Sequence, residues 1–146
     1  MAPDQRPMPL TSPACRYLFV YGTLRKGAEI PEASLLARMC RLVGTGKINA
    51  RLYDIGAYPG MVKAERPDEW VMGEVHEMFH PERLLQMLDD YEGCGPKHQR
   101  PYEFEREVVK LTLNHSMPTE AWVYWYRPDP SKFRRIISGD YLTEKK

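Results

Sequence analysis

The sequence predicts a small α+β protein built on a mixed, barrel-like β-sheet with short helices. Three observations point there. Short aromatic and β-branched runs recur along the chain, separated by Gly, Pro and Asn turns. YEFEREVVKLTL (102–113) and AWVYWY (121–126) are joined by the turn NHSMPTE into a hairpin. The clearest helical period is confined to one stretch, HPERLLQMLDDYEG (80–93). Roughly six strands and two short helices follow, and the many hairpin signals favour a sheet that curls on itself.

Residues 1–14 contain Pro3, Pro7, Pro9 and Pro13 and no apolar periodicity, which predicts a flexible tail ahead of one domain, 15–146. The tail lacks the apolar middle of a signal peptide and has too few cations for a transit peptide. YLFVY (17–21) has the composition of a strand covered on both faces, and it runs into the loop GTLRKG. PEASLLARM (31–39) predicts a short helix with Pro31 in its first turn. From Leu42 to Ala64 the chain reads as strand pieces broken by Gly44, Gly46, Gly56 and the turn Tyr58-Pro59-Gly60.

WVMGEVHEMF (70–79) reads as a strand in which Gly73 marks a bulge or a close neighbour. Pro81 then opens the 80–93 helix and Gly93 follows it. CGPKHQRP (94–101) is a loop. In 102–113 the period of two puts Tyr102, Phe104, Arg106 and Val108 on one face and the glutamates, then Val109 and Leu111, on the other. RPDPSKFRRIISGDYLTEKK closes the chain with a charged, frayed end.

Bulk properties narrow the function classes. A chain of 146 residues suits one domain with a sizeable core. A net charge of +1 argues against a phosphate-neutralising surface, so nucleic acid is not the expected partner. No stretch approaches the ~20 apolar residues of a membrane span. Three cysteines, Cys15, Cys40 and Cys94, show no metal-ligand pairing and fit a reducing, cytoplasmic setting. A small molecule or a protein remains as partner.

Glu92 is the first candidate for chemistry. It follows Leu88 by four residues and Leu85 by seven, so it shares the apolar face formed with Leu84, Met87 and Tyr91. Burial and the helix C-terminus would both raise its pKa and suit it to proton transfer. The alternative is a frayed helix end with Glu92 in solvent. The 21–25 loop is the second candidate. A glycine after a buried strand exposes successive N–H groups that can cradle an anion; the alternative is a tight turn with solvated cations. It is not a phosphate-binding GxxxxGK[ST] loop.

Weaker constellations carry less. His76 and His80 straddle a strand end and a helix start, a poor zinc pair. Cys94 with His98 or His115 has no local activation of the thiol. Asp89 and Asp90 fall on faces different from that of Glu92, and Asp90 is expected in solvent. Trp122, Tyr124 and Tyr126 read first as core.

Tyr21-Gly22-Thr23-Leu24-Arg25 at a strand end, together with Glu92 in LDDYEG, resembles the gamma-glutamylcyclotransferase-like family. Tyr58-Pro59-Gly60, Val71-Met72-Gly73-Glu74-Val75, Ala121-Trp122-Val123-Tyr124 and Gly139-Asp140-Tyr141 extend the likeness over about residues 16–142. One departure is Phe104, where the family often has a tyrosine; Tyr102 could supply the hydroxyl. The resemblance implies a barrel-like sheet with a cavity beside the YGTL loop and a small gamma-glutamyl compound as substrate. It implies Glu92 as general acid/base, Tyr21, Gly22, Thr23, Leu24, Arg25 and Tyr124 as substrate-binding residues, and neither metal nor organic cofactor. The Gly22, Thr23 and Leu24 backbone would bind the substrate's α-carboxylate. The products would be 5-oxoproline and a free amine. A non-catalytic binding or regulatory protein on the same fold is the alternative. Neither the leaving amine nor the oligomeric state can be read from the sequence.

Overall fold

The computed structural model describes residues 15–22, 36–56, 58–94 and 100–141. The expected tail at 1–14 lies outside the described residues, as do Thr23, Leu24, Arg25 and most of the predicted 31–39 helix, of which residues 36–39 are helical.

The strands are β1 (Tyr17–Val20), β2 (Cys40–Asp54), β3 (Pro59–Lys63), β4 (Trp70–Met78), β5 (Phe104–Leu113), β6 (Met117–Tyr126) and β7 (Arg134–Arg135), with helix α1 at Pro81–Tyr91. They form one sheet in the order β3-β2-β4-β1-β6-β5, and a further β2–β5 pairing closes five strands into a barrel. The sheet is mixed because β1 runs parallel to β6 and antiparallel to β4. Both the sheet and its closure agree with the fold class predicted from the sequence.

β1 is interior, with β4 on one side and β6 on the other. Its side chains alternate between two cores, as the period of two requires. Phe19, and Tyr21 just beyond the strand, enter the barrel with Ile48, Leu52, Val75, Val123 and Trp125. Leu18 and Val20 face outward into a second cluster with Leu84, Leu85 and Leu88 of α1 and with Trp122, Tyr124 and Tyr126 of β6. β5 divides the same way: Phe104 and Val108 go under the helix, Val109 and Leu111 into the barrel.

Of the region read as strand pieces, Cys40–Asp54 is a single 15-residue strand, β2, and Pro59–Lys63 is β3. Gly44 and Gly46 do not break β2, whereas Gly56, at φ +130°, falls in the expected break between the two strands. The register with β4 shifts once, between Leu42 and Gly44, and then continues to Asn49. At Gly46 a Cβ would stand 3.0 Å from Val75 Cγ2 and 3.2 Å from Leu111 Cδ1, so the residue is small because the barrel wall is tight there. Gly73 has a close neighbour and no bulge: a Cβ would lie 2.4 Å from the Val20 carbonyl oxygen and 2.7 Å from the Phe19 ring. The closing segment is not loose as far as Tyr141. Arg134 and Arg135 pair with the end of β2, and Ile136 and Tyr141 are buried in the barrel core.

A buried ion network sits where the chain enters β4. The Glu69 side chain is 4% exposed and accepts from Arg51 Nη2 at 2.7 Å. It also accepts from the N–H groups of Glu65 and Arg66 at 2.9 and 3.1 Å, and Arg135 Nη2 lies 3.2 Å away. The Arg51 hydrogen bond, chiefly, holds its carboxyl down to about 2. A carboxyl depressed in the folded state stabilises the fold above its unfolded value, near 4.5, and that stability is lost as pH falls toward 2. Thermal melts of the wild type should therefore drop steeply between pH 4.5 and 2. Glu69→Gln should start less stable at pH 7 and show a shallower acid slope; an unchanged slope would remove Glu69 from the acid response.

Candidate active site

Helix α1 begins with Pro81 in its first turn, where a missing N–H costs nothing. Leu84, Leu85 and Leu88 are buried, whereas Met87 and Tyr91, counted on the same face from the sequence, are 41% and 42% exposed. The buried stripe is narrower than the sequence suggested. Glu92 stays on it.

The helix end is closed and does not fray. Glu92 is the C-cap, with its N–H on the Leu88 carbonyl at 2.7 Å. Gly93 adopts φ +81°, the left-handed conformation that glycine accepts without strain. Its N–H reaches the Asp90 carbonyl at 3.3 Å, and the Cys94 N–H reaches the Asp89 carbonyl at 2.9 Å. This pair of bonds is the Schellman arrangement, and the apolar contact that accompanies it is present, with Cys94 packed in the Leu88 cluster.

So fixed, Glu92 lines a cavity of about 190 Å³ with Leu18, Tyr21, Gly22, Tyr58, Glu103 and Tyr124 among its walls. That is room for about six waters, the scale of an amino-acid-sized group. Tyr21, Gly22, Glu92 and Tyr124 were singled out in the sequence from three separate segments, and the fold brings all four to this cavity. Thr23, Leu24 and Arg25 lie outside the described residues. At Gly22 a Cβ would be 2.6 Å from Pro59 Cγ, so the backbone here can approach the Pro59 wall only as glycine.

The tyrosine hydroxyls are committed elsewhere. Tyr21 donates to the Tyr124 carbonyl at 2.8 Å and accepts from the Met61 N–H at 3.2 Å. Tyr124 donates to Asp89 Oδ1 at 2.7 Å. Tyr58 donates to Glu103 in a short hydrogen bond. Burial, and then the Glu92 charge, push the Tyr21 phenol well above its usual range. Burial and the hydrogen bond to Asp89 do the same for Tyr124. These phenols line the cavity with their protons held more tightly than usual.

Glu92 is different. Burial first, and then the charges of Glu103 and Asp89, push its carboxyl up to about 8. Proton-transfer groups work best with a pKa near the working pH, and this carboxyl has been moved there by its surroundings. Cys94, by contrast, is pushed up to about 12, mainly by burial, so its thiol is protonated and is no nucleophile. Among the described residues no three His, Cys, Asp or Glu side chains are placed to hold a metal ion. None of the described helices is long and apolar enough to cross a membrane.

Three participants escaped the sequence reading. Tyr58 reaches the cavity from the β2–β3 loop, where no period predicts direction, and Glu103 from the position just before β5, although the alternation read over 102–113 places it on the face of Val109 and Leu111. Asp89 was set aside because it lies off the Glu92 face. Phe104 packs against Tyr58 and Tyr126, with ring centroids at 5.9 and 5.5 Å. Tyr102 is absent from the described cavity wall, where the tyrosines are Tyr21, Tyr58, Tyr91 and Tyr124.

Residues 18–143 match the family described as Gamma-glutamyl cyclotransferase, AIG2-like. The chain belongs to this family. A Methanocaldococcus jannaschii protein provisionally named a gamma-glutamylcyclotransferase is 32% identical over 86% of this chain and 94% of its own length. The gamma-L-glutamyl-butirosin B gamma-glutamyl cyclotransferase of Niallia circulans is 34% identical over 77% of this chain and 67% of its own. Among solved structures, a mouse AIG2-like protein superposes with a TM-score of 0.64 at 22% identity, over 87% of this chain and 88% of that one. The structural likeness establishes the fold shared with the cyclotransferase family; the sequence relatives carry the family's names.

Proposed function

We propose that this member of the gamma-glutamyl cyclotransferase family releases 5-oxoproline and a free amine from a gamma-glutamyl compound, with Glu92 as general acid/base. The observation that carries this reading is the Glu92 carboxyl, raised to about 8 in an amino-acid-sized cavity. The substrate's α-amine nitrogen forms a bond to its own γ-carbonyl carbon, closing a five-membered ring. The proton released from that nitrogen passes to Glu92. The bond from the γ-carbon to the leaving nitrogen then breaks, and Glu92 returns the proton to that nitrogen. Intramolecular attack needs the glutamyl unit held in a bent conformation, and a small enclosed cavity favours this. Family membership supports the reaction type, and the names of the relatives support the gamma-glutamyl substrate.

The substrate's α-carboxylate would take the backbone N–H groups of Gly22, Thr23 and Leu24. Pure protein incubated with a panel of gamma-glutamyl amines and dipeptides should form 5-oxoproline from at least one of them. The corresponding analogue without the α-carboxyl should bind at least about tenfold more weakly, because donors would be left unpaired. No product from any panel member would overturn the enzyme reading in favour of a binding protein. Equal binding of the decarboxylated analogue would overturn the role of the loop.

A further inference from the structure

We propose that Asp89 is a positioning residue for Glu92, clamping the last turn of α1 to the β5–β6 hairpin so that the Glu92 carboxyl is held in the cavity. The inference rests on the acid/base role argued above and assigns work to a residue outside that role.

Asp89 Oδ1 accepts two hydrogen bonds at 2.7 Å, one from Tyr124 Oη of β6 and one from Arg106 Nε of β5. Arg106 and Tyr124 are direct cross-strand partners, so adjacent points on the hairpin grip one oxygen. Arg106 is itself fixed, with its guanidinium 4.5 Å from the centre of the Trp122 ring. The main chain of Asp89 is also engaged, since its carbonyl accepts the Cys94 N–H that closes the helix. Side chain and backbone of one residue thus tie together the helix end, the strand pair and the turn carrying Glu92. Such a clamp explains why a carboxyl at a helix C-terminus, where the dipole repels it, does not rotate into solvent.

The clamp also sets the local field. Charged and titratable groups reach Glu92 from every side: Asp89 on its own helix, Glu103 from the segment before β5, Tyr21 from the end of β1, Tyr58 from the β2–β3 loop, Tyr124 from β6 and Cys94 just beyond the helix. Arg106 acts on this field through its pairing with Asp89. Removing the Asp89 charge takes away one repulsion and leaves Arg106 unpaired. Both changes favour an ionised Glu92.

Two substitutions separate clamp from charge. Asp89→Ala removes both. Its plateau kcat should fall about 10- to 100-fold, as for misplaced catalytic groups, with a smaller change in KM, and the acidic limb of its kcat/KM profile should move below the wild-type value. Asp89→Asn keeps an acceptor oxygen for Tyr124 and Arg106 but loses the charge. It should restore the plateau to within about threefold of wild type, well short of the alanine loss, while its acidic limb still moves down. Carbon-13 titration of the Glu92 carboxyl, which needs no turnover, should show a downward shift in both variants, and the larger one in Asp89→Ala, where the carboxyl is released toward solvent as well as relieved of the charge.

A merely structural Asp89 would lower the melting temperature, leave the alanine plateau kcat unmoved and give equal titration shifts in the two variants; that result overturns the proposal. If Asp89→Ala does not fold, Asp89→Ser, which also breaks the grip on Arg106 and Tyr124, takes its place under the same criteria. A wild type that forms no 5-oxoproline would overturn the enzyme reading, while the carboxyl titration still judges Asp89.

Discussion

Glu92→Gln is expected to cut 5-oxoproline formation by about a hundredfold or more, the usual loss when a general acid/base is removed. Glutamine keeps the shape of the side chain but cannot carry the proton from the α-amine to the leaving nitrogen. The same substitution should stabilise the protein, with a defined pH dependence. The folded value of Glu92, about 8, lies above its unfolded value near 4.5, so the fold resists ionising it. That penalty is absent below pH 4.5, grows as pH rises, and is complete above about 8. The melting temperature of the variant should match wild type at pH 4 and exceed it by several degrees at pH 8. Asp90→Asn, on an exposed position one turn-edge away, should alter neither rate nor melting temperature. Wild-type turnover in the glutamine variant would remove Glu92 from the chemistry.

The second large effect is expected at Gly73. Any Cβ there would stand 2.4 Å from the carbonyl oxygen of Val20 and 2.7 Å from the Phe19 ring. The obstacle is backbone of an interior strand, which cannot swing aside as a surface side chain can. Gly73→Val should therefore destabilise by about 3 kcal/mol, the upper part of the overpacking range, and lower the melting temperature by roughly 10 °C. Because Val20 leads directly into Tyr21 and Gly22, the displaced strand should also weaken substrate binding. Thermal melts and KM measured on the same preparation check both parts. A variant with wild-type stability would mean that β1 and β4 can separate without cost.

The fold class was legible because its signals are local and repeated: YLFVY as a doubly covered strand, the alternation from Phe104 to Leu113, and Pro81 and Gly93 bracketing the helix. β2 was not legible as one strand, because glycine marks a turn and a crowded barrel wall with the same letter. Only the packing of Val75 and Leu111 against Gly46 distinguishes the two. β7 was missed for a related reason: Arg134 and Arg135 look like surface charge, and their pairing partner lies in β2.

The site divides along the same line. Glu92 could be read from helical spacing, which fixes the direction of a side chain relative to its own helix. Asp89 could not, since its importance comes from Arg106 and Tyr124 across the interface. Tyr58 sits in a loop where no regular element sets direction, and Glu103 sits one residue before β5, where the alternation read from Tyr102 does not yet hold. Met87 and Tyr91 show the opposite error, apolar by pattern and yet exposed, because helical spacing does not say how wide a stripe the neighbouring elements cover.

The central place of β1 has a consequence for how the chain becomes native. Its four residues lie near the start of the described chain, yet the parallel neighbour is β6, and the Tyr21 hydroxyl closes on a carbonyl 103 positions away. During synthesis β1 must therefore wait, unpaired on that side, until the chain as far as Trp122 has emerged. Topologies dominated by such distant pairings fold slowly, because the entropy of closing long loops is spent before the contacts that reward it are made. The cavity, whose wall includes Leu18 to Gly22, is then among the last features to assemble, so a ribosome-bound fragment ending before β6 should have no functional pocket at all.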